Sequence, residues 1–184
     1  GGQDRSRTTL SSMECYNLAS EQWSTKASMS VKRERHAVVA VAHYLYAVAG
    51  SDGINDLKSG ERYSWEESKW SAIPDLPGNG RWGVAGASLG GYIYIVGGYS
   101  ARSGGILKEV SRYSPSENTW EKRADMSIGK YASGAAVVNN HLYSVGGYSS
   151  GSGKQVEWYD PLSNTWERSV DMSIGRGYFA VVSV

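Results

Sequence analysis

The side chains that could support catalysis or bind a metal are few in this chain and lie far apart. It has three histidines, His36, His43 and His141, and a single cysteine, Cys15. No two histidines have the close spacing of metal ligands, and one thiol cannot build a zinc site. His43 and His141 each stand just before a repeated tyrosine, where we expect a turn that leads into a strand. The sequence therefore predicts no catalytic group, no metal and no cofactor.

A glycine-rich segment, GSGK at 151–154, is a candidate for binding a phosphate. A phosphate-binding loop has a wider glycine spacing and is followed by a helix. Here the alternating segment KQVEWYD at 154–160 follows, and this pattern is typical of a strand. We therefore interpret the glycine-rich segment as a flexible loop.

Basic and aromatic side chains recur at one position of an internal repeat and are better candidates for function. A basic residue stands four positions after the methionines at 29, 126 and 172 and five after the leucine at 76. A ring-bearing residue comes shortly after each of these basic residues. Two more tyrosines directly follow the pairs of adjacent glycines at 97–98 and 146–147. Arginine binds carboxylates through two parallel hydrogen bonds, and Arg, Tyr and Trp are enriched at interface hot spots. We therefore expect one shallow pocket for a protein or peptide partner, an acidic one in particular. The predicted partner-binding residues are Arg33, Arg35, His36, Arg81, Trp82, Tyr99, Lys130, Tyr131, Tyr148, Arg176 and Tyr178.

The basic residues of this set also have a structural interpretation. Any one of them could pair with a carboxylate inside the fold, such as that of Glu34, and the sequence leaves both interpretations open. If Arg35 and Arg81 bind a partner, replacing them with alanine should leave the melting temperature nearly unchanged. If they are structural, folding should be lost instead.

These positions belong to a repeat that runs through the whole chain. Tryptophan stands at 23, 70, 120 and 166, at spacings of 47, 50 and 46 residues, with a tyrosine seven residues before each. Doublets of small residues end at 2, 50, 98 and 147, at spacings of 48, 48 and 49. Because independent markers share one period, we expect a chain of repeated structural units.

Each period contains the pattern of four short strands. An apolar stretch such as 132–138 comes first and, because it lacks polar alternation, predicts an inner strand buried on both faces. A Tyr-x-Val strand that ends in the doublet follows, as at 92–98, and then an alternating strand such as 108–114. A turn leads to the last strand, whose tryptophan we expect to cover the gap to the adjacent unit. Four strands in about 45–50 residues are typical of a β-propeller blade.

The pattern resembles the Kelch family. The residues that carry the resemblance are the doublets Gly97–Gly98 and Gly146–Gly147 and the pairs Tyr16/Trp23, Tyr63/Trp70, Tyr113/Trp120 and Tyr159/Trp166. The resemblance covers essentially the whole chain and implies an all-β Kelch β-propeller of four-stranded blades. We expect one domain, 1–184, with about three complete blades and parts of a fourth. The expected repeat units are about 1–26, 36–72, 83–122 and 132–168, with a final inner strand at 178–184.

Two units depart from the family pattern. The doublet at 49–50 is Ala-Gly, and the unit at 76–94 has one extra residue in LPGNGRW. Glycine in the doublet permits a positive φ and a close approach of backbones, as is needed where blades converge near the axis. We therefore expect the loops of these two units to differ from the others.

The number of strands indicates a segment of a longer propeller. Kelch propellers commonly have six blades, which would need about 290 residues at this period. A closed four-blade ring and a homodimer of two copies are the alternatives, but both would leave unpaired strand edges in the incomplete blade.

What the Kelch resemblance implies about function is protein recognition without catalysis. Kelch proteins that serve as substrate adaptors bind a partner peptide, often an acidic turn, on the face where the expected pocket lies. They present it to a cullin-type ubiquitin ligase, to which they are linked by a BTB domain. The alternatives are a cytoskeletal, actin-binding or scaffolding Kelch protein and, third, a propeller enzyme such as a copper oxidase with a crosslinked tyrosine. Cys15 and Tyr16 suggest the oxidase, but their side chains should point to opposite faces of one strand.

The bulk composition excludes several classes of protein. In 184 residues, 19 basic and 18 acidic side chains give a formal charge of +1, which gives no long-range attraction to nucleic acid or to an anionic membrane. No apolar run reaches the length of a membrane span. One cysteine rules out an internal disulfide and favours a reducing compartment, so we expect a cytoplasmic protein.

Overall fold

The computed structural model describes residues 1–183 and is all-β. Within this range it contains eighteen short strands and no helix. The strands are β1 (Gly2–Gln3), β2 (Thr9–Leu10), β3 (Met13–Asn17), β4 (Gln22–Lys26), β5 (Ala37–Val41), β6 (Tyr44–Val48), β7 (Gly60–Ser64), β8 (Lys69–Ile73), β9 (Ala85–Leu89), β10 (Tyr92–Val96), β11 (Tyr99–Ser100), β12 (Gly105–Ile106), β13 (Val110–Ser114), β14 (Thr119–Arg123), β15 (Gly134–Val138), β16 (His141–Val145), β17 (Val156–Asp160) and β18 (Thr165–Arg168).

The long strands form three antiparallel four-stranded sheets and one two-stranded sheet. The complete sheets are β5–β8, β9–β10–β13–β14 and β15–β18, and β3 pairs with β4 alone. In each sheet the marker tyrosine and tryptophan stand directly opposite each other, as Tyr113 and Trp120 do at a ring separation of 5.0 Å. The predicted fold is confirmed: three complete propeller blades and part of a fourth.

The marker tryptophans join adjacent blades, as their position predicts. The indole Nε1 of Trp70 donates a hydrogen bond to Ala27 O at 2.8 Å, and that of Trp120 donates to Pro74 O at 2.8 Å. In both cases the acceptor lies just after the last strand of the preceding blade. Trp23 has no such acceptor among the described residues and is 67% exposed.

The inner strands differ from their prediction. They were expected to be buried on both faces, yet their burial alternates: Val39 in β5 is 5% exposed, whereas its neighbour Val38 is 53% exposed. The reason is that one face packs between blades while the other borders the space around the axis. Residues 38–40, 86–88, 135–137 and 181–183 line that space together.

The predicted final inner strand at 178–184 is also corrected. Residues 178–183 lie at the inner position, against Gly134, but form no strand ladder. A strand needs a hydrogen-bonded neighbour, and no described strand pairs with this segment. Val184 lies outside the described residues.

The glycine doublets sit where the link to the next blade passes closest. A Cβ on Gly97 would collide with Lys130 O, and the Gly98 N–H donates to the same oxygen at 2.8 Å. The Ala-Gly doublet keeps this geometry, since Ala49 holds a φ of 62° and the Gly50 N–H donates to Arg81 O. The loop at 49–50 is therefore not shifted, and Ala49 carries the strain of a left-handed residue with a side chain.

Candidate functional site

Three of the predicted partner-binding cations lie inside the protein. Arg33 is fully buried, and its guanidinium donates to Ser59 O at 2.8 Å and to the Glu61 carboxylate at 3.1 Å. Arg33 precedes the inner strand of its blade, and Glu61 lies in the third strand, β7, of that blade. The cation therefore joins the link between two blades to the third strand of the second.

Arg81 and Lys130 repeat this arrangement in the next two blades. Both are fully buried. Arg81 donates to Ser111 Oγ at 3.1 Å, and Lys130 Nζ lies 3.3 Å from the Glu157 carboxylate. Their interpretation as partner contacts is corrected, because their side chains reach outward between the sheets and not onto the surface. Glutamate recurs at the same third-strand position, as Glu14, Glu61 and Glu157, and this recurrence is the sequence signal that could have identified the partners of Arg33 and Lys130.

Arg176 is the fourth member of this repeated position and is exposed. Its backbone keeps the repeat geometry, since Arg176 O accepts a hydrogen bond from the Gly147 N–H at 2.7 Å. The described chain provides no following blade for its side chain to enter. Arg176 therefore stays on the surface with the remaining candidates.

The Glu61 carboxylate predicts a pH dependence of stability. Burial opposes ionisation of Glu61, but hydrogen bonds from the N–H and hydroxyl of Ser30 and from the Val31 N–H hold its pKa below the ordinary 4.5. The unfolded chain then binds more protons, so this stabilisation is complete above about pH 4.5 and is lost as the pH falls through the folded-state pKa. We expect Glu61→Gln to lose less stability than the wild type between about pH 5 and pH 3 in urea unfolding. Glu67→Gln, at a half-exposed carboxylate, is the control and should keep the wild-type slope.

The other candidates come together on one face of the blades, at the ends where the inner strands begin. Six side chains make a continuous set of ring contacts that we call the axial cluster. The axial cluster consists of Arg35, Trp82, Tyr99, Tyr131, Tyr148 and Tyr178.

The contacts of the axial cluster run in a closed circuit. The Arg35 guanidinium lies 4.8 Å from the Trp82 ring and 5.9 Å from the Tyr178 ring. From Trp82 the circuit passes to Tyr131 at 5.4 Å, to Tyr148 at 5.2 Å and to Tyr178 at 5.8 Å. Aromatic side chains that contact one another in this way form a rigid surface that loses little side-chain entropy when it binds.

Short backbone bridges position the rings. Trp82 and Tyr99 exchange two backbone hydrogen bonds, at 3.0 and 2.8 Å, and Tyr131 and Tyr148 do the same. Each bridge places the tyrosine after a doublet beside the ring that precedes an inner strand. This explains why tyrosine follows the glycine doublet in two units.

Arg35 and His36 differ in their accessibility. The side chain of Arg35 is 42% exposed and lies 3.8 Å from the Glu34 carboxylate. Burial, with the positive charge of Arg33, lowers the pKa of His36 to about 4. His36 is therefore neutral at physiological pH and contributes no positive charge to the face.

Residues 1–183 contain few other side chains placed for chemistry. No three His, Cys, Asp or Glu side chains come together there in a group that could hold a metal ion. The same residues include no helix with the length and apolar character needed to span a bilayer.

Comparison with known proteins identifies the repeat. The Kelch motif matches four times, over residues 1–30, 32–77, 81–127 and 130–173. The chain belongs to the Kelch family. The four matches coincide with the three complete blades and the partial one, so this Kelch protein carries its family motif in every blade that the structure describes.

Several Kelch proteins are similar in sequence. Alpha-scruin of Limulus polyphemus is 32% identical over 136 residues, which are 72% of this chain and 15% of that protein. Kelch-like protein 35 of Mus musculus is 34% identical over 128 residues, 70% of this chain and 22% of that one. Kelch-like protein 15 of Gallus gallus is 38% identical over 109 residues, 59% and 22% of the two chains. The chain therefore spans less than a quarter of the length of these relatives.

A solved structure shares the architecture. The structure of YjhT superposes with a TM-score of 0.71 at 17% identity, covering 80% of this chain and 54% of that one. At this identity the likeness supports the fold alone.

Proposed function

We propose that this Kelch domain binds a protein partner through the axial cluster and is not an enzyme. The observation that carries the proposal is the circuit of four aromatic rings and Arg35 on one face, which the ring of Tyr99 adjoins. Tyrosine, tryptophan and arginine are the residue types that contribute most energy at protein interfaces. Tyr148 and Tyr178 are 48% and 56% exposed, so a partner has aromatic surface to cover.

The finer proposal is that the partner is a substrate of a cullin-type ubiquitin ligase, which this domain recognises as an adaptor. The similarity to Kelch-like proteins 35 and 15 supports it. The link to a BTB domain and a cullin rests on family resemblance. Such a protein would act in the cytoplasm.

A second candidate is the cytoskeletal type of Kelch protein, which binds actin or a structural partner. The relatives are not of one type, because alpha-scruin stands beside the Kelch-like proteins. Co-sedimentation of the purified chain with actin filaments separates the two candidates. Saturable co-sedimentation would favour the cytoskeletal candidate.

The axial cluster is tested by the replacement Tyr131→Ala. Tyr131 contacts the rings of Trp82, Tyr99 and Tyr148, so its loss opens the circuit at its centre. We expect the affinity for a partner captured from lysate and identified by mass spectrometry to fall roughly 10- to 100-fold, as for a hot-spot residue. Titration of the purified partner by calorimetry measures the change.

Leu162→Ala is the matched control for Tyr131→Ala. Leu162 is 95% exposed and lies in the turn between β17 and β18, at the end of the blade away from the axial cluster. Its replacement should leave the affinity unchanged. Equal partner binding by wild type, Tyr131→Ala and Arg35→Ala would overturn the proposed function.

A further inference from the structure

A cavity of about 400 Å³ opens beneath the axial cluster. Its walls come from all four inner segments of the chain and include His36, Val84, Ser133 and Phe179. A second space of about 450 Å³ lies along the same segments, between the inner strands, and is lined by alanine, glycine, valine and serine. We call the upper space the axial cavity. A partner that covers the axial cluster would also cover its mouth.

The axial cavity offers no free positive charge. Among its described lining residues Arg35 is the one with a permanent charge, and its guanidinium already lies over Trp82 and Tyr178. The Glu34 carboxylate, 3.8 Å away, partly neutralises it. A carboxylate that entered the cavity would have to share this one guanidinium with Glu34, and burial of an incompletely paired charge is unfavourable.

Two polar groups in the wall lack a partner in the described chain. Ser133 is 8% exposed, and neither its hydroxyl nor His36 Nδ1 makes a hydrogen bond. Buried polar groups are nearly always hydrogen-bonded. Neither atom is reached by solvent in the free chain, so a rotation of the Ser133 side chain toward the cavity would let the backbone of a bound segment satisfy its hydroxyl.

We propose that the axial cavity receives an uncharged apolar side chain of the partner, whose backbone hydrogen-bonds to Ser133. This inference rests on the proposed function and adds the chemistry of the partner's central contact. It replaces the acidic partner expected from the sequence, because Arg33, Arg81 and Lys130 are enclosed between blades. The aromatic rim then contacts the residues on either side of the inserted side chain.

Two capped amino acids test the chemistry of the axial cavity directly. N-acetyl-leucine amide and N-acetyl-aspartate amide are titrated into isotope-labelled protein, and backbone amide resonances are followed by NMR. We expect the leucine derivative to shift the resonances of Ser133 and Ala180, with an apparent affinity at least roughly tenfold above that of the aspartate derivative. Equal shifts from both, or none from the leucine derivative, would contradict the proposal.

A pair of variants shows whether the probe enters the cavity. Ala180→Leu places a larger side chain at the cavity wall and should reduce the leucine-dependent shifts about tenfold. Ala72→Leu makes the same change at an exposed position of the outer strand β8 and should leave them intact. If Ala180→Leu binds the probe like the wild type, the probe lies elsewhere and the proposal fails.

The captured partner separates this inference from the proposed function. Loss of partner binding in both Tyr131→Ala and Ala180→Leu supports both. Loss in Tyr131→Ala alone leaves protein recognition standing and excludes the inserted side chain. Unchanged binding in both variants overturns both proposals.

Discussion

Replacing Lys130 with methionine is expected to lower the free energy of unfolding by roughly 3–5 kcal/mol, the cost of leaving one partner of a buried ion pair alone. Lys130 and Glu157 are both fully buried, with Nζ 3.3 Å from the carboxylate. Lys130 also donates to Ser144 O at 3.3 Å and to Gln155 O at 3.2 Å. The variant retains most of the hydrocarbon of the side chain but leaves the Glu157 carboxylate without its cation. Urea unfolding followed by tryptophan fluorescence measures the change.

A control variant outside the pair and a double variant within it decide whether the buried ion pair stabilises the fold. Lys122→Met removes a cation whose side chain is 67% exposed and which lies 3.4 Å from Asp125, so we expect a loss below about 1 kcal/mol. The double variant Lys130→Met with Glu157→Gln removes the unpaired charge and should recover part of the lost stability. A loss in Lys130→Met no larger than that in Lys122→Met would show that the buried pair is not important for folding.

The architecture could be read from the sequence because its markers recur. Tyrosine and tryptophan seven residues apart fall opposite each other in a hairpin, and the same spacing in four units leaves little freedom for another fold. The bridging role of the tryptophan also follows, since a large side chain on an outer strand needs a surface to cover. Periodicity gives the number of strands and their order for the same reason.

The positions of the cations could not be read in this way. Arg33 and Arg35 are two residues apart, yet one is enclosed between blades and the other lies on the axial face. The difference comes from the backbone: Arg35 has a φ of 53°, and the equivalent residues Gly83, Ala132 and Tyr178 share this left-handed conformation. The spacing of residues in the sequence does not reveal where the backbone becomes left-handed, so it does not show which arginine side chain is buried and which is exposed. Replacing Arg81 with alanine should therefore destabilise the fold, and replacing Arg35 should not.

The positions of the aromatic residues of the site could be predicted from the sequence. Trp82 and Tyr131 precede inner strands, and Tyr99 and Tyr148 follow doublets, so both sets had to lie at the same ends of antiparallel strands. The sequence predicted a shallow pocket on this face but not the residues that line the axial cavity. Its lining depends on which face of each inner strand turns toward the axis, and a run of small apolar residues does not specify that face.

Adding a strand to the incomplete blade should also change the free energy of unfolding strongly, because this blade has room for a strand that the other blades possess. Tyr16 is 41% exposed, whereas its equivalents Tyr63 and Tyr113 are 1% and 0% exposed, and Trp23 is 67% exposed. A space of about 350 Å³ lies beside Trp23, bordered by Gly1, β3 and the neighbouring blade. The Gly2 N–H donates to Arg33 O at 2.7 Å, as the Gly98 N–H donates to Lys130 O. A strand placed directly before Gly1 would therefore enter the position that β10 holds in its own blade.

Fusing a copy of Tyr92–Val96 directly before Gly1 is expected to raise the free energy of unfolding by about 2–4 kcal/mol, from the burial of the two isoleucines of the copy in the space beside β3. The copy should pair with β3 in the register of β10 with β13, where Val96 stands opposite Val110 and Ile93 opposite Tyr113. Urea unfolding measures stability, and acrylamide quenching should show reduced access to tryptophan. A copy with serine in place of both isoleucines keeps the length but cannot fill the space, so it should leave both values at the wild-type level. Equal stability of the two fusions would mean that the two-stranded sheet does not accept a third strand and that the blade is not built on the repeat geometry of the other three.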